Sequence, residues 1–136
     1  MRRVLPVAAL PALVALLAGC GTPSPDLFVV ERSGADRNAN VELLVSDGGS
    51  VTCNGKEHAL DADRLLTARQ LQRDLAPQAE LSIRLPPGPG SQLSYRVSME
   101  TGTIAFSDRS RGVPSTFQRL AAFTTDVTER VCGIER

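Results

Sequence analysis

The first nineteen residues limit the fold most, because they divide the chain into a segment that is removed and a segment that folds. Arg2 and Arg3 precede an uncharged apolar run over residues 4–17, and small residues follow at Ala18 and Gly19. This order is typical of a signal peptide. A run of about fourteen residues is shorter than the roughly 20 that span a bilayer as a helix, and it contains two prolines. A permanent transmembrane helix is the weaker interpretation.

The segment Leu17-Ala18-Gly19-Cys20 resembles the lipobox of bacterial lipoproteins. The resemblance implies that the signal peptide, residues 1–19, is cleaved before Cys20, whose sulfur receives diacylglycerol. It leaves open whether the new amino group also receives an acyl chain, such as palmitate. Acyl chains at about 0.8 kcal/mol per buried methylene would hold the protein at the outer face of the cell membrane. The alternative is an ordinary secretory peptide with an incidental cysteine.

The remaining 117 residues, 20–136, are enough for one domain with a modest core. Residues 20–26 form a polar, proline-bearing tether, and residues 27–136 form a single extracytoplasmic domain. Without Arg2 and Arg3 the chain has 13 basic and 15 acidic residues and no long run of either sign. This balance predicts no nucleic-acid partner. Fourteen arginines against the single Lys56 indicate a GC-rich genome, such as that of an actinobacterium.

Two cysteines remain once Cys20 is assigned to lipid. Cys53 and Cys132 form an even pair in an oxidising compartment, so we predict a disulfide between them. Closing a loop of about 79 residues stabilises a fold by roughly 4 kcal/mol in the chain-entropy model. Two buried free thiols are the alternative. Two distant cysteines and one histidine lack the spacing of zinc ligands, so we expect no metal site and no cofactor.

The pattern of apolar residues predicts α+β architecture. The predicted strands cover residues 27–32, 41–46, 50–54, 80–85, 93–99 and 103–107. A first helix is capped by Asp61 or Asp63, has an apolar stripe at Leu65, Ala68, Leu71 and Leu75, and ends before Pro77. The order βββα βββα favours an antiparallel sheet of about five to six strands with both helices on one face.

A second helix follows Pro114. Ser115 and Gln118 have the spacing of a capping box, and Gly133 is placed to end the helix. Its predicted apolar stripe consists of Phe117, Leu120, Phe123 or Thr124, Val127 and Val131. Cys132 is then expected in the last turn, where the disulfide would join this helix to the strand that contains Cys53.

The most distinctive exposed segment is the connection between the predicted strands 80–85 and 93–99. It consists of Pro86, Pro87, Gly88, Pro89, Gly90 and Ser91. Proline lacks the N–H that a β-ladder needs, so this segment must be an exposed connection. Prolines also lower the entropy that a loop loses when a partner holds it, which makes it a candidate binding loop. The alternative is a passive connector.

Residues for catalysis are scarce. His58 is the single histidine, it has no nearby nucleophile, and Cys53 is expected to be oxidised. Asp61 and Asp63 are explained by capping and by the helix dipole, and Asp47-Gly48-Gly49 lacks the other ligands of a calcium loop. Tyr95 and Phe106 alternate with polar residues and are expected in the core. We therefore expect a protein that is not an enzyme.

A further resemblance extends over most of residues 27–131. Glu31-Arg32-Ser33-Gly34, a hairpin, a helix, Tyr95-Arg96-Val97, Phe106-Ser107-Asp108 and Val113-Pro114 before a last helix resemble emfourin, a family of small inhibitors of thermolysin-type metallopeptidases. The chain departs from that family at residues 35–40, where a glycine and aromatic run is usual, and in its cysteine pair. The resemblance assigns no inhibitory residue.

Two function classes follow from these patterns. The first is a membrane-anchored, non-catalytic lipoprotein that binds an envelope or surface partner. The second is a proteinaceous peptidase inhibitor.

Overall fold

The computed structural model describes residues 26–136. The expected signal peptide over residues 1–19, the lipidated Cys20 and the tether up to residue 25 lie outside the described residues. The first strand begins at Asp26, the last residue of the expected tether.

The described chain forms one antiparallel sheet and two helices. The elements are β1 (Asp26–Gly34), β2 (Val41–Ser46), β3 (Ser50–Cys53), β4 (Lys56–Ala59), α1 (Ala62–Glu80), β5 (Leu93–Met99), β6 (Gly102–Ser107) and α2 (Ser115–Arg130). The six strands lie in the order β4-β3-β2-β1-β5-β6. The predicted α+β class is confirmed.

One face of the sheet is buried and the other is open. Val30 pairs with Leu43 on β2 and with Val97 on β5, and all three side chains are fully buried under the helices. The alternate residues, such as Glu31 and Arg96, are exposed on the open face. Burying a side chain of this size contributes about 1.5–3 kcal/mol, so the period of two fixes which face the helices cover.

Helix α1 continues past the proline that was expected to end it. Asp61 is the N-cap, and its carboxylate accepts the backbone N–H of Arg64. Pro77 lies inside the helix, which ends at Glu80, so the predicted end is wrong. Leu75 and Ala79 are fully buried on either side of Pro77. Their burial offsets the roughly 3 kcal/mol cost of an internal proline.

The predicted strand over residues 80–85 is also wrong. Glu80 belongs to α1, and Leu81 is 74% exposed. Only Arg84 forms a β-bridge, which is parallel to Ala105 of β6. The Leu85 N–H donates to the Ala105 carbonyl, and Pro86 follows with no N–H to extend the ladder. The segment therefore covers a short part of the β6 edge.

Four strands, rather than the predicted three, precede α1. The turn at Asn54 and Gly55 has positive φ angles of 46° and 86° and returns the chain into β4. β4 is an edge strand whose residues are half-buried or exposed, so its sequence lacks the apolar alternation on which the prediction relied.

Helix α2 differs from the prediction at both ends. Its N-cap is Pro114, and no side chain caps it, so the predicted capping box of Ser115 and Gln118 is wrong. The helix ends at Arg130, and Cys132 lies just beyond it rather than in its last turn. Gly133 has a φ of 68° at that end.

The predicted disulfide between Cys53 and Cys132 is confirmed. The two Cα atoms are 6.0 Å apart, and the cysteines are 79 positions apart in the sequence. The bond attaches the segment after α2 to the last residue of β3.

The register defines two ends of the molecule. Asp26 pairs with Ser46, next to the turn of residues 47–49, and Met99 pairs with Gly102 at the turn of residues 100–101. We call this the Asp26 end. At the opposite end of β1, Gly34 pairs with Leu93. We call this the Gly34 end, and residues 86–91 lie there because they directly precede β5.

Candidate functional site

The candidate binding loop packs tightly against a second loop. We call residues 86–91 the proline loop and residues 108–112 the arginine loop. A Cβ added at Gly88 would lie 1.8 Å from the carbonyl oxygen of Arg109, so the two backbones approach as closely as glycine permits. A Cβ added at Gly90 would lie 3.6 Å from Nη1 of Arg109, so Gly90 faces that side chain. The proline loop is therefore held rather than free.

Hydrogen bonds also fix each of the two loops and the residues beside them. The Asp108 carboxylate accepts the backbone N–H of Gln92 at 3.0 Å. The buried Ser110 hydroxyl accepts the N–H of Ser107 at 2.9 Å. Within the proline loop, the Ser91 hydroxyl donates to the Gly88 carbonyl at 2.9 Å. These bonds fix the loop without the β-ladder that its prolines exclude.

The outer side of the proline loop forms a groove of about 390 Å³. The groove is lined by Pro86, Pro87, Gly88, Pro89 and Arg111. Three of these residues are prolines, whose rings are apolar and rigid, and the charged side chain among them is Arg111. Such a surface accepts an apolar side chain that has an acceptor beside it. We call it the proline groove.

A second concave surface of about 380 Å³ lies on the open sheet face. Ser33, Ser94 and Ser107 pair across three strands and line it in one row. The hydroxyls of Ser94 and Ser107 are 3.2 Å apart. Pro87 lines both surfaces and separates them. This surface offers hydroxyl groups, whereas the proline groove offers apolar rings and a cation.

The charge around the proline groove is positive. Arg84, Arg109 and Arg111 are exposed, and within residues 26–136 none of them forms an ion pair. Asp108, whose carboxylate accepts the Gln92 N–H, adds one negative charge, so the net charge remains positive. Arg96 pairs with Glu31 at 3.8 Å on the open sheet face.

Arg32 is a buried arginine that supports the Gly34 end. It is 2% exposed, its Nε donates to the Ala39 carbonyl at 2.9 Å, and its Nη2 donates to the Asn38 carbonyl at 3.1 Å. Burial lowers the pKa of its guanidinium. The side chain holds the loop of residues 35–40 and lines neither concave surface.

The candidates for catalysis or metal binding lie on β4, at the start of α1 and in the turn after β2. His58 is half-buried on the edge strand β4, opposite Val51. Asp61 caps α1 and pairs with Arg64, whose backbone N–H lowers the pKa of the Asp61 carboxyl. Asp63 is exposed in the first turn, and Asp47 pairs with Arg69. The sheet and α1 do not bring these residues to the proline groove.

Tyr95 and Phe106 lie in the core, as predicted. They are 4% and 3% exposed, and their rings stack with centroids 4.9 Å apart. Phe117 of α2 contacts Phe106 at the same centroid distance. Burial raises the pKa of the Tyr95 hydroxyl. These rings position α2 over the sheet and are not available to stack on a ligand.

Within residues 26–136 no cluster of three histidine, cysteine or acidic side chains could hold a metal ion. No helix of the same region is long and apolar enough to cross a membrane. No protein-family model, curated protein or solved structure matches the chain.

The sequence predicts the proline loop but not the arginine loop. The proline loop is recognisable locally, since its prolines exclude a ladder. Its contact with Arg109 joins residues about 20 positions apart and has no local pattern. The sequence signal for it is a pair of arginines shortly after a predicted strand, at Arg109 and Arg111.

Proposed function

We propose that this chain is a lipid-anchored, non-catalytic binding protein of the cell envelope that presents the proline loop to its partner. The observation that supports this most directly is the packing of Gly88 on the Arg109 backbone. A passive connector needs no such contact. A loop held in one conformation before binding loses less entropy when a partner contacts it.

The position of the loop supports the same proposal. Lipid on Cys20 would attach the membrane through the Asp26 end, whereas the proline loop lies at the Gly34 end. The nine residues of β1 separate the two ends by about 27 Å, at roughly 3.4 Å per residue. The anchor would therefore direct the proline groove away from the bilayer, where a partner can reach it.

The chemistry of the two concave surfaces favours binding over catalysis. The proline groove combines proline rings with one guanidinium, and the open-face surface combines serine hydroxyls with the Glu31–Arg96 pair. Catalysis by a serine requires a base to accept the hydroxyl proton. Neither His58 nor the disulfide-bonded Cys53 lines either surface.

Site-specific crosslinking of the intact protein in its host tests the proposal. A photoreactive residue at Pro89 should give discrete crosslinked products in the membrane fraction. The matched control is the same residue at Gln70, which is exposed on α1, and it should give few. Cys20→Ala should release the protein from membranes and abolish labelling by a radioactive fatty acid. Membrane retention of Cys20→Ala without label, or equal crosslinking from both positions, would contradict the proposal.

The second candidate function is peptidase inhibition. It is favoured by the order of elements, because a hairpin, a helix, two strands and a last helix follow one another as the emfourin resemblance implies. The test is the rate of peptide hydrolysis by a thermolysin-type metallopeptidase in the presence of the full chain in detergent. Unchanged hydrolysis at micromolar protein excludes this function.

A further inference from the structure

We infer that the proline groove binds an acidic polypeptide segment in which a carboxylate lies next to an aromatic side chain. The inference rests on the proposed binding function and specifies its partner. It is carried by the proline rings that line the groove, by Arg111 beside them, and by the unpaired arginines nearby.

The charge at this corner of the molecule selects an anionic partner. Arg111 lines the groove, Arg109 packs against Gly88, and Arg84 precedes Pro86 by two residues. Asp108 is the one acidic residue of the proline and arginine loops, so the local net charge stays positive. No acidic side chain lines the groove. The opposite charge is therefore left to the partner, and screening limits its effect to about 8 Å at physiological ionic strength.

The walls of the groove select a protein partner over a simple polyanion. Pro86, Pro87 and Pro89 present C–H surfaces that cannot donate hydrogen bonds. Phosphate or carboxylate polymers would leave these surfaces without a partner. An aromatic ring covers them with favourable contacts, and an adjacent carboxylate reaches the Arg111 guanidinium.

The rigidity of the groove makes it a preformed site. Gly88 and Gly90 are packed on Arg109, and the Ser91 hydroxyl closes the loop on the Gly88 carbonyl. The prolines have fixed φ angles in the free protein. Binding therefore orders mainly the partner, which suits a flexible peptide segment of another envelope protein.

Binding of labelled peptides to the full chain in detergent tests this inference by fluorescence anisotropy. The main probe is a decapeptide with two phenylalanines flanked by glutamates. One comparison peptide replaces every glutamate by glutamine, and another replaces both phenylalanines by alanine. We expect the main probe to bind most tightly, and to weaken when the salt concentration rises.

Two matched variants locate the binding site. Arg111→Glu should weaken binding of the main probe by about fivefold or more, which corresponds to one lost ion pair. Arg73→Glu reverses the charge of an exposed α1 residue that has no ion pair in residues 26–136. This variant should leave binding of the main probe unchanged. Equal effects of the two variants would mean that net charge acts, and this would overturn the assignment of the groove. Pro87→Ala should weaken binding without changing the far-ultraviolet circular dichroism spectrum.

The outcomes separate this inference from the proposed function. If Pro89 crosslinks a partner in the host but the glutamine peptide binds as well as the glutamate peptide, the binding function stands and the acidic class is wrong. If inorganic polyphosphate displaces the main probe and binds Pro87→Ala equally well, the partner is a polyanion and the inference is wrong. If the main probe binds but Pro89 gives no crosslink in the host, the groove chemistry stands and the envelope function fails.

Discussion

At the scale of single residues, two interactions hold the proline loop in one conformation. Gly88 permits the backbone contact with Arg109, and Asp108 accepts the Gln92 N–H beside it. Neither interaction buries a large apolar area. Both act on the conformational freedom of the loop, so small changes at these positions should alter binding before they alter the fold.

Replacing Gly88 by alanine should separate the two loops. Its Cβ would overlap the Arg109 carbonyl, and relief of such overlap costs about 1–3 kcal/mol. We expect a lower urea midpoint and faster amide hydrogen exchange at Gln92. Gly112→Ala is the control, because nothing lies within 4 Å of a Cβ there and only its positive φ costs about 1 kcal/mol. Unchanged exchange at Gln92 in Gly88→Ala would refute the contact.

The N-cap Asp61 makes part of the stability dependent on pH. Its backbone hydrogen bond from Arg64 lowers the pKa of the folded carboxyl, so the folded state binds this proton less tightly than the unfolded state. The stabilisation is therefore complete above the ordinary pKa of about 3.9 and is lost as the pH falls through the lowered value. Asn caps helices well but does not titrate. The Tm difference between the natural protein and Asp61→Asn should shrink from pH 7 to pH 2, and a constant difference would contradict this account.

At the scale of elements, the sequence predicts strands and helices wherever burial is periodic. The strands β1, β2, β5 and β6 and most of both helix stripes are recovered, because each element has one face on the core, whereas Leu65 and Val131 are only half-buried and Val131 lies beyond α2. β4 was missed because both faces of an edge strand are partly exposed. The segment 80–85 was assigned wrongly because Leu81, Ile83 and Leu85 alternate, although Leu81 is exposed and α1 extends to Glu80. Contacts distant in sequence decided these cases.

Pro77 lies inside α1 and lowers the stability of this helix, so a suitable substitution should raise the free energy of unfolding. Its ring removes the hydrogen bond to the Arg73 carbonyl, and the side chain is exposed, so no core packing depends on it. Pro77→Ala should raise the free energy of unfolding by about 1–3 kcal/mol, measured by urea denaturation. Pro114→Ala is the control, since Pro114 is the N-cap of α2 and its missing N–H breaks no helical hydrogen bond. Destabilisation by Pro77→Ala would show that the proline shapes the end of α1.

At the scale of the whole molecule, the disulfide covalently joins two residues that are far apart in the sequence. It joins the segment after α2 to β3 across 79 residues. In the chain-entropy model a loop of this length stabilises the fold by roughly 4 kcal/mol, mostly by restricting the unfolded chain. The double variant Cys53→Ser/Cys132→Ser should lose about that much in urea denaturation. Mass spectrometry of the unreduced natural protein should show the two cysteine peptides joined, and freely alkylated thiols would contradict the bond.

The orientation of the domain on the membrane follows from the proposed anchor and the two ends of the sheet. The five residues between Cys20 and Asp26 reach at most about 20 Å, at roughly 3.3–3.6 Å per residue. With lipid on Cys20, as proposed, this distance would keep the Asp26 end near the bilayer, while β1 adds about 27 Å before the Gly34 end. The turn of residues 100–101 should therefore lie closer to lipid than the proline loop.

Energy transfer to acceptor lipids in zwitterionic vesicles measures this difference. A fluorophore on Glu100→Cys should transfer more efficiently than one on Pro89→Cys, because both positions are exposed and differ mainly in their distance from the Asp26 end. Zwitterionic lipid is used because an anionic surface attracts each nearby arginine by about 1 kcal/mol. Attraction of Arg84, Arg109 and Arg111 to such a surface would change the orientation of the domain. Equal transfer from both positions would mean that the domain lies on its side. The proline groove would then not face outward, and partners within the membrane plane would become the better candidates.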